Sequence, residues 1–148
     1  MPALTAEPEA KSGATPPQSA QGVVPHLTCP DAPRAIGFYI EAFGARELSR
    51  HLDADGKRIM HAHLRLNQGD IFLHDDFPEY RGGAPAPVPA GICLHLHVTD
   101  ARMLWDRAVK AGAAILMPLD RQAWGDIYGQ LKDPWGYVWS IGETPHPA

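Results

Sequence analysis

Cysteine, basic charge and long apolar runs are all in short supply, and each shortage removes a class of protein. Only two cysteines, Cys29 and Cys93, occur in 148 residues. That is too few for a disulfide framework, and their spacing is not that of a zinc pair, so both read as reduced thiols. Lys and Arg number 13 against 17 Asp and Glu, a formal charge of -4, which disfavours attraction to a phosphate backbone or an anionic membrane. Neither nucleic acid nor a membrane is an expected partner. No stretch approaches the roughly 18 consecutive apolar residues of a membrane helix, and the N-terminus lacks the basic-then-apolar order of a secretory signal. A cytoplasmic location is expected. What is present is a 45% hydrophobic, 20% charged composition suited to one packed core, together with eight histidines.

Residues 1–22, with Pro2, Pro8, Pro16 and Pro17 and no apolar period, read as a disordered leader. Residues 23–29 read as a strand with Pro25 near its start. Asp31 then reads as a helix N-cap, Pro33 suits the first turn, and Ile36, Tyr39, Ile40 and Phe43 recur at helical spacing until Gly44. Residues 47–52, 59–66 and 71–74 are short strands separated by turn residues. Residues 76–90, rich in proline and glycine, form a linker, and Asp75, Asp76 and Glu79 read as a solvated acidic run at its start. The second half repeats the plan: a strand at 92–98, a helix capped by Asp100 and closed by Gly112, then strands at 114–117, 127–131 and 137–141. The fold class is therefore α+β. Two tandem βαβββ modules, 23–75 and 91–143, make one domain over 23–143, followed by a tail at 144–148. Neither module covers its own sheet, so the two are expected to form a cupped mixed sheet with helices on the outer face.

Strand alternation assigns side chains to faces. Ala62, Leu64 and Leu66 oppose His61, His63 and Arg65, and Leu94, Leu96 and Val98 oppose Cys93, His95 and His97. Leu27 opposes His26, and Ile71 and Leu73 oppose Phe72 and His74. Six histidines, His26, His61, His63, His74, His95 and His97, thus line the cup. Any half-covered sheet shows a polar face, so lining alone does not specify catalysis. Trp124 and Tyr128, in a glycine-containing segment, are candidates to wall a planar or cationic ligand. Trp105 and Trp135 read as packing residues, and Cys29, sharing a face with Leu27, as a core thiol.

The segments Asp31-Ala32-Pro33-Arg34-Ala35-Ile36-Gly37-Phe38-Tyr39, Phe43-Gly44-Ala45 and Asp133-Pro134-Trp135-Gly136-Tyr137-Val138-Trp139-Ser140 carry a resemblance. The chain resembles the vicinal-oxygen-chelate superfamily of glyoxalases, bleomycin-resistance proteins and extradiol dioxygenases. Met60-His61-Ala62, Leu94-His95-Leu96, Met117-Pro118-Leu119 and Trp124-Gly125-Asp126-Ile127-Tyr128-Gly129 make it most similar to the PhnB-type branch. The resemblance implies a homodimer and, in the metal-dependent members, one ligand on the first and last strand of each module. Those positions register here on Val24, Phe72, Cys93 and Ser140, which are poor ligands as a set.

Two functional classes remain open at this point. One is a binding module for a small organic molecule, with no cofactor, its pocket lined by His26, His61, His63, His74, His95, His97, Trp124 and Tyr128. The other is a lyase, isomerase or dioxygenase. In that case a divalent ion, Zn or Ni, would sit on relocated ligands His26, His74 and His95, or His63 and His97 would carry protons without a metal.

Overall fold

Each half of the chain folds as a strand, a helix and three further strands. In the computed structural model, which describes residues 19–146, the order is β1 (His26–Thr28), α1 (Ala32–Phe43), β2 (Arg46–Leu52), β3 (Ile59–Leu66) and β4 (Gly69–His74), then a single 3-10 turn at Pro78–Arg81. The second half supplies β5 (Cys93–His97), α2 (Ala101–Ala111), β6 (Ala114–Arg121), β7 (Ile127–Lys132) and β8 (Val138–Glu143). Most of the expected leader and the last two residues of the tail lie outside the described residues. Among the described residues no helix is long and apolar enough to cross a membrane.

Both expected modules are present, each with its own four-stranded mixed sheet, in the orders β1-β4-β3-β2 and β5-β8-β7-β6. The first strand of each module runs parallel to the last, and all other pairs are antiparallel. Helix α1 lies on β2 and β3, α2 on β6 and β8, and the two helices touch. One core results, holding Leu27, Leu64 and Leu73 of the first sheet and Leu131, Trp139 and Ile141 of the second. The modules interlock because α1 also packs on β8: the rings of Tyr39 and Phe43 lie 5.4 and 4.6 Å from that of Trp139. Cys29 is buried in this core, and burial pushes its thiol up to about 12. Trp105 is buried as well, its ring set against Gly129 of β7.

The helix ends show what local pattern settles and what it does not. Gly44 and Gly112 close their helices in the left-handed conformation, and the Asp100 side chain accepts the Met103 N–H at 3.1 Å. Asp31, by contrast, is not a cap: its own φ is 64° and its carboxylate makes no capping bond. The cap comes from Asp75, forty-three residues away, whose Oδ1 accepts the Ala32 N–H at 2.9 Å while Oδ2 accepts the Ile59 N–H at 2.8 Å. Asp75 is buried, which corrects its reading as part of a solvated run. Asp76 and Glu79 do stay near solvent, paired with Arg81 and Arg58.

The largest differences in extent from expectation fall in two strands. β1 starts only at His26, because Pro25 has no N–H to give the ladder, and contributes its carbonyl to Phe72 instead. β6 continues through Pro118 to Arg121, since it is the outer strand of its sheet and its register slips on either side of Met117. An edge strand with bulges tolerates a missing donor.

Candidate functional site

Every strand of the first sheet contributes an imidazole to the face opposite the core. In register, His26 faces Phe72, Thr28 faces His74, His63 faces Phe72 on the other side, and His51 faces His61. The rings touch in a row. His26 lies 4.9 Å from His74 and 5.9 Å from His61, and His61 lies 6.2 Å from His51. Phe72 sits among them, with the rings of His26, His61 and His63 edge-on at 5.7, 4.6 and 5.2 Å. His74 Nδ1–H donates to the Asp75 carbonyl at 2.6 Å, which leaves Nε2 as its lone-pair nitrogen. His63 is buried and held by Asp70, whose Oδ1 accepts from both His63 Nε2 and Arg65 Nε at 2.8 Å. Burial pushes the Asp70 carboxyl up, but the bonds from Arg65 and His63 outweigh it and keep the group below its ordinary value.

The second sheet holds a separate group. His95 Nδ1 is 2.7 Å from Ser140 Oγ, His95 Nε2 is 3.0 Å from His97 Nδ1, and His97 Nε2 is 2.8 Å from Thr144 Oγ1. The His95 ring stacks on Tyr128 at 5.8 Å and 21°, and Trp124 stands against Tyr128 at 5.6 Å with 63% of its surface exposed. Gln130 Nε2–H fixes the Tyr128 hydroxyl at 3.0 Å. Gly142 makes room for the two imidazoles: a Cβ there would lie 2.8 Å from His95 Cε1 and 3.3 Å from His97 Nδ1. Beside His97 a cleft of about 700 Å³ opens between the β3–β4 turn, the end of α1 and the start of α2.

The eight residues read from the sequence as a lining therefore divide into two groups, His26, His61, His63 and His74 on one sheet and His95, His97, Trp124 and Tyr128 on the other. His51, Ser140 and Thr144 join them and were not among the lining residues read from the sequence. The register slips in β2 at Glu47/Ser49 and His51/Leu52 hide the side on which His51 falls. Its position directly opposite His61 is a pairing signal that only a hairpin alignment would supply.

The side chains at the ligand positions of the resembled metal-dependent members make a poor donor set. Pairing matches Phe72 with His26 rather than Val24, and Ser140 with His95 rather than Cys93. Phe72 has no donor atom, and both nitrogens of His95 are engaged by Ser140 and His97. Of the relocated set, His26 and His74 stand together, whereas His95 makes its ring contacts with His97 and Tyr128. Among the described residues no group of three or more His, Cys, Asp or Glu comes together to hold a metal ion. The residues at these positions do not fit the group.

The imidazoles make stability depend on pH. His26, His61 and His95 are each held below the ordinary imidazole value, first by burial and then by neighbouring imidazoles. Above about pH 7 these rings are neutral in both folded and unfolded chains and have no effect. As pH falls through about 6.5 the unfolded chain takes up protons first, so stability drops, and it goes on dropping until the folded-state values are passed. The melting temperature is expected to be lower at pH 5.5 than at pH 7.5, and the double variant His26→Asn/His61→Asn should flatten that slope. A wild-type melting temperature constant over this window would contradict it.

Comparison with known proteins gives a consistent frame. Residues 22–141 match the model of the Glyoxalase/Bleomycin resistance protein/Dioxygenase superfamily. An uncharacterized protein of Mycobacterium tuberculosis H37Rv is 44% identical over 123 residues, spanning 80% of this chain and 72% of the relative. Among solved structures, a glyoxalase-related enzyme from Fulvimarina pelagi is 26% identical with a TM-score of 0.65, covering 86% of this chain and 93% of that one. A PhnB protein from Bacillus cereus, 22% identical with a TM-score of 0.65 over 84% of this chain and 99% of that one, shares the fold.

Proposed function

Because the chain belongs to the glyoxalase/bleomycin resistance protein/dioxygenase superfamily, we propose that it is one of the superfamily's binding modules, taking a small, flat organic molecule on its imidazole and aromatic face without a bound metal. The observation that carries this is the tier formed by Trp124, Tyr128 and His95, in which one pair of rings is already stacked and the outermost indole is open to solvent. Ring faces held in place in advance bind a planar partner without the cost of ordering them. The row of imidazoles on the first sheet adds ring nitrogens suited to phenol, carbonyl or ring-nitrogen groups. On this reading the chain belongs with the PhnB-type branch of the superfamily, and a second copy of the chain closes the pocket. Support for the second copy comes from Leu52 on β2 and Ile115, Leu116 and Met117 on β6, apolar side chains left exposed on the outer strands.

The test is calorimetric titration with a panel of flat aromatic and heteroaromatic compounds, alongside light scattering. A compound that binds wild type is expected to lose about fivefold or more in affinity against Trp124→Ala, since losing one stacked ring is worth on the order of 1 kcal/mol or more. Affinity unchanged in both Trp124→Ala and Tyr128→Leu would remove the tier as the binding surface. A purely monomeric species at micromolar concentration would remove the second copy.

A further inference from the structure

Ser140, His95, His97 and Thr144 form an unbroken hydrogen-bonded line from inside the second sheet to the rim of a cleft, with steps of 2.7, 3.0 and 2.8 Å. A neutral imidazole has one N–H and one lone pair, so such a line has only two polarities. In one of them the Thr144 hydroxyl donates to His97 Nε2, His97 Nδ1–H donates to His95 Nε2, and His95 Nδ1–H donates to Ser140 Oγ. Every ring nitrogen is then satisfied, and the order is that of a nucleophile, its base and the group that orients the base. We propose that this line is an acyl-transfer site for small esters, with Thr144 Oγ1 as nucleophile, His97 as general base and His95 as the positioning residue.

The surroundings supply what such a site needs. Ser140 is buried, 1% exposed, and anchors the far end of the line, while Thr144 is exposed at the near end. His97 and Thr144 both line the cleft of about 700 Å³, whose walls include Phe43, Leu96 and Leu104 for an apolar acyl or alcohol group and the guanidinium of Arg107. Arg107 spends Nε and Nη2 on the carbonyls of Glu41 and Ile40, and Nη1 makes no hydrogen bond among the described residues, so it is the donor available to a carbonyl oxygen. Burial and the adjoining His97 favour the neutral form of His95.

Thr144 Oγ1 bonds to the acyl carbon as its proton passes to His97 Nε2. The bond from the acyl carbon to the leaving oxygen then breaks, and His97 returns the proton to that oxygen, leaving acyl-Thr144. Water gives a proton to His97 and attacks the same carbon, the carbon–Thr144 bond breaks, and the hydroxyl recovers its proton as the acid departs. The site uses the cleft and does not depend on binding at the Trp124–Tyr128 tier.

The experiment uses the full chain and p-nitrophenyl acetate, with peptide mass spectrometry of the reacted protein. The expected result is p-nitrophenol release above buffer and an acetyl adduct on Thr144. Thr144→Val, isosteric at an exposed position, should lose both while keeping its melting temperature, and Thr144→Ser should retain both. His97→Gln should slow release by about 100-fold. His95→Gln should keep the adduct but move the midpoint of the pH–rate profile, which a merely structural role would not do. Adducts only on lysines or other groups, or wild-type rates in Thr144→Val, would overturn the assignment.

Discussion

Replacing Asp133 by Ala is expected to cost about 4 kcal/mol of folding stability, because four donors lose one carboxylate at once. Oδ2 accepts the Tyr39 hydroxyl at 2.5 Å and the Trp139 indole N–H at 2.9 Å, and Oδ1 accepts the backbone N–H groups of Trp135 and Tyr137 at 2.9 and 3.0 Å. Tyr39 belongs to the first module and the other three donors to the second, so this carboxylate ties α1 to the β7–β8 turn. Asp133 and Trp139 are buried, so the donors of Tyr39 and Trp139 would be left without an acceptor inside the core. A thermal melt should show a fall of roughly 10 °C or more for a chain of this length. Tyr39→Phe, which removes one donor and leaves three bonds, should cost only about 1 kcal/mol. Equal losses in the two variants would mean that the Tyr39 bond alone, and not the fourfold node, holds the modules together.

Gly129→Val is expected to cost about 3 kcal/mol through overpacking. A Cβ at Gly129 would lie 2.7 and 2.8 Å from Cζ3 and Cη2 of Trp105 and 2.8 Å from the Leu119 Cα. The first two contacts belong to a buried ring and the third to backbone, so nothing flexible can give way. Chemical denaturation of Gly129→Val, Trp105→Leu and the double variant measures the coupling. The double variant should be more stable than the sum of the single losses predicts, since shrinking Trp105 relieves the clash. Simple additivity would place the strain elsewhere.

What was legible in the sequence was everything that depends on short spacing. Period-2 alternation put His61 and His63 opposite Ala62 and Leu64, helical spacing found α1 and α2, and the two glycine stops fell where the chain turns left-handed. The repeat of the plan in the second half gave the α+β pair of modules. What was not legible depends on residues far apart in the chain. Asp31 has the chemistry of a cap, but its backbone is left-handed and its side chain makes no capping bond, while the N–H of Ala32 is met by Asp75, which arrives from the end of β4. Asp133 reads only as a turn residue until Tyr39 and Trp139 are placed around it. The line through Thr144 was hidden for a further reason: its first residue lies just beyond β8, where alternation has ended. The division of the histidines into two groups likewise follows from having two sheets, which no strand shows by itself.

These two prospective sites share His95 and differ in what they demand of it. The binding face uses the plane of the ring, stacked on Tyr128, whereas the line to Thr144 uses its nitrogens. A ligand on the ring face therefore need not break the line, and the two activities can be measured separately.

The central claim is that the imidazole and aromatic face takes its ligand without a divalent ion. Histidine-ring NMR spectra during titration with a compound found by calorimetry, recorded with and without a strong chelator, test it most directly. The account predicts shifts of the His95 and His61 ring signals, with the same affinity whether or not the chelator is present. Binding abolished by the chelator and restored by Zn²⁺ or Ni²⁺ would contradict it.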